Sequence, residues 1–226
     1  MRVRVTSKEQ PELVESELPA IELFKKLGYS YKHGKDLERG NSDIVLESVL
    51  EEAVKRLNPW ITQENARAAV KKLLTSYGSS LMETNEMVYC LLTGKPTRKE
   101  YDKTVCQVKQ AIDGREEFRL VKFIDWQDAS KNEYMVCNQV HFKGTQRESI
   151  PDLVVYVNGI PLAIIECKAP KEQAQSKAIN DLLYYQKNSE RLFVFNQVCA
   201  GIARNTAAVY GAIGAQEVHY SQYRDE

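Results

Sequence analysis

No run of 18 or more apolar residues occurs in the 226-residue sequence, so no membrane span is expected. The opening stretch, MRVRVTSKEQPELVESEL, lacks an apolar signal region and a small-residue cleavage site, which points to a cytoplasmic protein. Cysteines are few: five, at positions 90, 106, 137, 167 and 199, an odd number with no CxxC pair. Neither a disulfide framework nor structural zinc is supported. His33, His141 and His219 form no HxxxH or HExxH arrangement, and each reads as a surface or core histidine rather than a metal ligand. Net charge is missing too, with 31 basic residues against 31 acidic ones and a pI near 6.8. That is not the signature of an autonomous nucleic-acid binder, so a polyanionic partner would have to be held by a local basic rim or by other domains and subunits. Finally, TGKPT at 93–97 lacks the glycine of a phosphate-binding loop, because position 89 is Tyr89, and Pro96 stands where Ser or Thr would meet Mg²⁺. Gly94-Lys95 therefore reads as a turn, and no nucleotide-driven motor is encoded.

A composition of 43% hydrophobic and 27% charged residues describes an ordinary soluble protein, long enough for one sizeable core or a core with a modest insertion. The informative stretch is IPDLVVYVNGIPLAIIECKAP, residues 150–170. Two apolar runs, LVVYV and LAIIEC, flank Asn158-Gly159, a hairpin turn signal. Runs this continuous belong in strands covered on both faces. Alternation places Glu166 and Lys168 on one side of the second strand and turns Cys167 to the other. Folding the hairpin brings Asp152 beside Glu166 and Lys168. Two carboxylates can hold Mg²⁺ together with waters and substrate phosphate, and a neighbouring lysine can orient or help deprotonate a water. Phosphodiester hydrolysis is the matching chemistry. A salt-bridged strand end on a solvated face is the alternative. Alternation makes Cys167 a buried structural thiol whose backbone carbonyl could still face a metal.

Pro151-Asp152, thirteen intervening residues and Glu166-Cys167-Lys168 match the PD-(D/E)xK nuclease pattern. The longer string PDLVVYVNGIPLAIIECKAP resembles the N-terminal nuclease domain of type I restriction enzyme R subunits. The resemblance implies an α/β, restriction-endonuclease-like core with a central mixed β-sheet flanked by helices. It also implies Mg²⁺-dependent cleavage of double-stranded DNA and assembly with methylation and specificity subunits. ATP is expected only for the motor domains that follow in such subunits and are absent from this chain.

The rest of the chain reads as support for that hairpin. Ser16 is placed to cap a helix with Pro19 in its first turn and Gly28 as its stop. Glu17 lies beside the inward stripe of Leu18, Ile21 and Phe24, and the resemblance makes it the candidate for an acidic group supplied by the first helix. Stabilisation of the helix N-terminus is its alternative role, and Glu15 and Glu22 are possible substitutes. Residues 36–44 read as a polar loop. Helices are expected over about 46–57, from Thr62, and over 81–92, making a helical region of about 46–93. FRLVKFIDW and EYMVCNQVHF read as two strands that pair and widen the hairpin's sheet, and Asp125 in the first is not assigned to the site. Lys171 to Gln186 reads as a helix. Here the resemblance implies a QxxxY element, with Asp181 where glutamine is expected and then Tyr185; a shift of one gives Asn180 and Tyr184. Phe193-Val194-Phe195, Val198 to Ala203 and Ala207 to Ala212 are candidate strands, completing a core of about 116–215 in a single domain of 1–226.

The expected site is thus Asp152 and Glu166 on the metal, with the Cys167 carbonyl beside them, Lys168 acting on water, and Glu17 and Tyr185 assisting. Two rivals stay open: a module of the same complex that binds DNA and couples its partners without cutting, and an orphan nuclease of the PD-(D/E)xK class.

Overall fold

A computed structural model describes residues 12–40, 42–75, 77–96, 101–112, 114–204 and 207–222. Most of the stretch read for a signal, Thr97 of TGKPT and the last four residues lie outside these. In chain order the helices are α1 (Leu18–Lys26), α2 (Glu47–Leu57), α3 (Gln63–Leu74), α4 (Leu81–Thr93), α5 (Tyr101–Thr104), α6 (Ala174–Asn188) and α7 (Glu190–Phe193). The strands are β1 (Ser30–His33), β2 (Gln107–Ile112), β3 (Arg115–Leu120), β4 (Tyr134–Asn138), β5 (Leu153–Val157), β6 (Ile160–Lys168), β7 (Val198–Ala203), β8 (Ala207–Gly211) and β9 (Ser221–Gln222). The chain forms two compact units, one of residues 1–44, 134–156 and 161–226, the other of residues 45–133 and 157–160.

The first unit is built on a seven-stranded mixed sheet in the order β1-β4-β5-β6-β7-β8-β9. β1 runs parallel to β4 and β6 parallel to β7, whereas β7–β8 and β8–β9 are antiparallel. Every residue of β5 is buried, and β6 is buried at all but Leu162 and Ala163, the pattern of strands covered on both faces. One face takes Ala20 and Ile21 of α1 against Val136, Leu153, Val155, Ile165 and Cys167. α6 packs so closely on β7 that a Cβ on Gly201 would lie 2.7 Å from that of Ala178. This is the expected α/β architecture, a central mixed sheet flanked by helices.

The second unit holds the helical region. Its apolar stripes are buried as the 3.6-residue period predicts: Leu50, Ala53, Val54 and Leu57 on α2, then Ala66, Ala69, Val70 and Leu73 on α3. Thr62 caps α3 by accepting the Asn65 N–H at 3.2 Å, and Gly94 ends α4 at φ +64°, so Gly94-Lys95 is a turn as read. Asn158 and Gly159 have φ of +52° and +80°, the signature of the two-residue turn that suits hairpin twist. Asn158 is fully buried. Its amide donates to the Phe123 carbonyl and to Asn132 Oδ1, both at 2.9 Å, while its Oδ1 accepts the Glu133 N–H at 2.8 Å. Replacing it with alanine leaves a buried carbonyl and amide without partners, so Asn158→Ala is expected to cost about 2–4 kcal/mol, read as a lower urea midpoint at unchanged slope.

Three readings are corrected. Only FRL of FRLVKFIDW is strand, and it pairs with β2 in a separate two-stranded sheet rather than with β4. The Val121 N–H still meets the Cys106 carbonyl at 2.8 Å, but from Lys122 side-chain amides take over: Asn58 binds both the N–H and the carbonyl of Lys122, and Asn158 takes the carbonyl of Phe123. Those bonds replace a ladder. Phe193-Val194-Phe195 is not a strand, since Phe193 ends α7 and all three side chains are buried; a short apolar run does not distinguish the two conformations. Ser16 does not cap α1, as described next. β1, β2 and β9 were not anticipated.

Candidate active site

The hairpin delivers its charged residues as alternation requires. Lys168 Nζ donates to Glu166 Oε1 at 2.8 Å. Asp152 reaches across from the start of β5, its Oδ2 accepting the Cys167 N–H at 2.7 Å. Cys167 itself is fully buried among apolar neighbours on the α1 side, and burial pushes its thiol well above the usual range. It is no nucleophile, and only its backbone could face an ion.

Glu17 arrives from the other layer. The turn preceding α1, Leu13–Glu17, is wound as a π-helix and buries Ser16 and Glu17, a form of helix common where function distorts the coil. Ser16 therefore lies within continuous helix rather than at its N-cap. Its hydroxyl donates to the Lys168 carbonyl at 2.7 Å and accepts the Arg204 N–H at 3.2 Å. Glu17 is 3% exposed. Its carboxylate accepts from Asn138 Nδ2 at 2.7 Å and from Gln139 Nε2 at 3.3 Å, so it faces the sheet and does not serve its own helix end. Glu22 instead pairs with Lys25 on the surface, and Glu15 is half-buried.

Asn138 and Gln139 were missed, although YMVCNQ places two amides directly after a buried run. Tyr31 OH donates to Asn138 Oδ1 at 2.9 Å, fixing which way the amide points. Gln139 takes φ +51° and donates its N–H to the Asp152 carbonyl at 3.3 Å. That left-handed residue turns the end of β4 toward the carboxylates.

From the helix after the hairpin, Asp181 Oδ2 lies 2.9 Å from Lys168 Nζ. Of the two tyrosines that the QxxxY resemblance offers, Tyr185 OH donates to the Ile150 carbonyl at 3.4 Å, whereas Tyr184 OH accepts from Arg147. Asp181 is 47% exposed, so its pair with Lys168 is screened. Asp181→Asn is expected to shift stability by no more than about 0.5–1 kcal/mol, checked by thermal melting. Two other groups stand aside. Asp125 is a turn carboxylate whose pKa is lowered by the N–H groups of Asp128 and Gln127, and His141 pairs with Glu148 at 2.8 Å.

The electrostatics are those of charges packed into a dry rim. Burial, then repulsion from Asp152, raises Glu166 to about 8 despite the nearby Lys168 ammonium. Burial also raises Asp152, against the Cys167 N–H that favours its ionised form. Glu17 is lifted to about 7, chiefly by burial and further by Asp152, with the Asn138 amide opposing. Burial alone would lower Lys168, but Glu166 and Asp181 together hold it well above its ordinary value and charged.

One atom of this cluster is unsatisfied. Glu166 Oε2 is buried and has no hydrogen-bond partner. When Glu166 carries a proton it can donate to Asp152. When both are ionised, two carboxylates face each other with an orphaned oxygen between strands. That donor set suits a hard divalent cation which keeps most of its waters and takes one or two carboxylates, as Mg²⁺ does. Among the described residues no group of three or more His, Cys, Asp or Glu is gathered to enclose a metal.

Comparison with known proteins identifies the family. Residues 9–217 match the family described as type I restriction enzyme R protein N terminus. A putative type I restriction enzyme MjaIXP endonuclease subunit from Methanocaldococcus jannaschii is 33% identical over 189 residues, which is 79% of this chain and 17% of that protein. The type I restriction enzyme HindI endonuclease subunit from Haemophilus influenzae is 28% identical over 217 residues, 90% of this chain and 19% of the relative. The chain thus spans less than a fifth of the length of these relatives. With a family match over nearly its whole length and the hairpin, helices and mixed sheet in place, the chain belongs to the type I restriction enzyme R protein N-terminal family.

Proposed function

We propose that this chain is the nuclease domain of a type I restriction enzyme R subunit, cutting double-stranded DNA by Mg²⁺-dependent phosphodiester hydrolysis within a complex that includes methylation and specificity subunits. The observation that carries the reading is the meeting of Asp152, Glu166 and Lys168 at the open end of a buried hairpin, with Glu166 Oε2 lacking any partner. Asp152 and Glu166 would hold the ion, with the Cys167 carbonyl as a further oxygen. A bound Mg²⁺ supplies charge neutralisation at the phosphate and a more acidic water.

The protein's own groups do the rest. Lys168, charged and fixed between Glu166 and Asp181, is a donor for a water or a phosphate oxygen. Glu17, poised near neutrality, can hold or accept a proton beside Asp152. Tyr185, tied to the Ile150 carbonyl, braces the segment leading into Asp152. Burial of Glu17, Glu166 and Lys168 keeps bulk water from their charged groups, which is why those charges matter so strongly there. Cytoplasmic residence is part of the same proposal; no helix among the described residues is long and apolar enough to cross a membrane. The test is cleavage of duplex DNA by the full-length subunit, assembled with its partners and carrying Asp152→Asn or Lys168→Ala. Full cleavage by these variants would refute the assignment.

A further inference from the structure

Beyond the carboxylate cluster, the loop that leads into Asp152 carries a cation, Arg147, in no ion pair among the described residues. Residues 143–149 form a loop that is exposed at Lys143 and at 145–148, yet its backbone is bound in place. The Thr145 N–H donates to the Asn188 carbonyl at 2.7 Å, Gln146 N–H to Asn188 Oδ1 at 3.1 Å, and Asn188 Nδ2 to the Arg147 carbonyl at 2.8 Å. A Cβ on Gly144 would lie 2.1 Å from that same carbonyl, so the loop has no room to shift there. The loop leads directly into Ile150-Pro151-Asp152.

On this fixed loop the Arg147 guanidinium lies 4.6 Å from the centre of the Tyr184 ring, and its Nε donates to Tyr184 OH at 2.8 Å. Among the described residues no carboxylate pairs with it. The stack and the single bond hold the guanidinium plane while leaving its terminal N–H groups free, the arrangement suited to two-pronged contact with a phosphate. Tyr184 follows Asp181 by three residues on α6, and such residues share a helix face. Asp181 touches Lys168. Arg147 and Lys168 are therefore anchored to neighbouring points of one helix face, about 4.5 Å apart along its axis at 1.5 Å per residue.

We infer that Arg147, presented on Tyr184, binds the backbone phosphate next to the one being cut and so sets the register of duplex DNA on the site. The inference rests on the nuclease reading for which phosphate is cut, and it supplies a local basic contact in a chain with no net charge.

The test is binding of a short fluorescein-labelled DNA duplex to the whole chain in Ca²⁺, followed by anisotropy over a range of salt. Arg147→Ala is expected to weaken binding about 5- to 10-fold and to flatten the log–log salt dependence by about 0.9, the contribution of one phosphate contact. Arg147→Lys should keep the salt dependence but recover only part of the affinity, because an ammonium does not stack as a plane. Thermal melting of each variant confirms folding, and Arg147→Gln repeats the charge removal with a longer side chain. Wild-type affinity and salt dependence in both neutral variants would overturn the inference, as would failure of the wild-type chain to bind the duplex. Cleavage by Asp152→Asn in the assembled enzyme is scored separately, so a failed nuclease assignment and a failed Arg147 contact give different results.

Discussion

On the proposed nuclease reading, Asp152→Asn in the assembled enzyme is expected to lower duplex cleavage about 10³-fold. Metal-held charge is worth several kcal/mol in the transition state, and about 4 kcal/mol corresponds to that factor. Asparagine is the informative substitution. It keeps an oxygen to accept the Cys167 N–H, which Asp152 Oδ2 now receives at 2.7 Å, while removing the negative charge. The fold should survive it, with a change in Tm of only a few degrees. Lys168→Ala should lose activity to a similar extent by a different route, since the ion ligands remain and only the donor beside Glu166 is gone. Calorimetric titration with Mg²⁺ separates the two: binding is lost in Asp152→Asn and kept in Lys168→Ala.

Glu166→Gln is expected to stabilise the metal-free chain at pH 8 while abolishing both cleavage and Mg²⁺ binding. In the folded protein burial and the Asp152 carboxylate push Glu166 up to about 8, against 4.5 for a free glutamate side chain. Between those values the folded state binds the proton and the unfolded chain does not, so stability is greatest below about pH 4.5 and falls as pH rises toward 8. Glu17, raised to about 7, adds a decline of the same sign over a narrower window. Glutamine cannot ionise, so the Glu166 share of this slope disappears in the variant. Mg²⁺ should restore the wild type at pH 8 by mass action, about 2.7 kcal/mol at a hundredfold excess over its dissociation constant, and should leave Glu166→Gln unmoved. Thermal melts from pH 5 to about pH 9, with and without Mg²⁺, read both effects. A wild-type stability that rises with pH over this range would contradict the assignment of Glu166 as a buried, proton-retaining ligand.

The parts of the site that could be read from sequence are those encoded within one short segment. Alternation and the Asn158-Gly159 turn are local rules, so Asp152, Glu166 and Lys168 follow from residues 150–170 without knowledge of the remaining fold. Helix periods and caps placed α2, α3 and α4 for the same reason. Asn138, Gln139 and Tyr31 could not be found that way. Their roles depend on β1 lying parallel to β4 and on a left-handed Gln139, neither of which leaves a periodic trace. The opposite failure occurred at FRLVKFIDW, where a strand-like pattern continued past Leu120. Distant amides, Asn58 and Asn158, satisfied its backbone instead of a neighbouring strand. Ser16 also misled, because a serine ahead of Pro19 has the chemistry of a cap, and only the tertiary fold gives its hydroxyl two other partners.

That serine has a bearing on when the domain can act. Its two bonds join residues 152 and 188 positions apart in the chain, and closing loops of that length is among the slower steps of folding. A ribosome that has released the first helix has not yet made β6 or the segment after β7. A chain emerging from synthesis therefore carries Glu17 with nothing yet to fasten it, and one locally frayed at the first helix holds the carboxylate hairpin without Glu17 beside it. The cluster of Glu17, Asp152, Glu166 and Lys168 is thus completed only once both ends of the domain are in place.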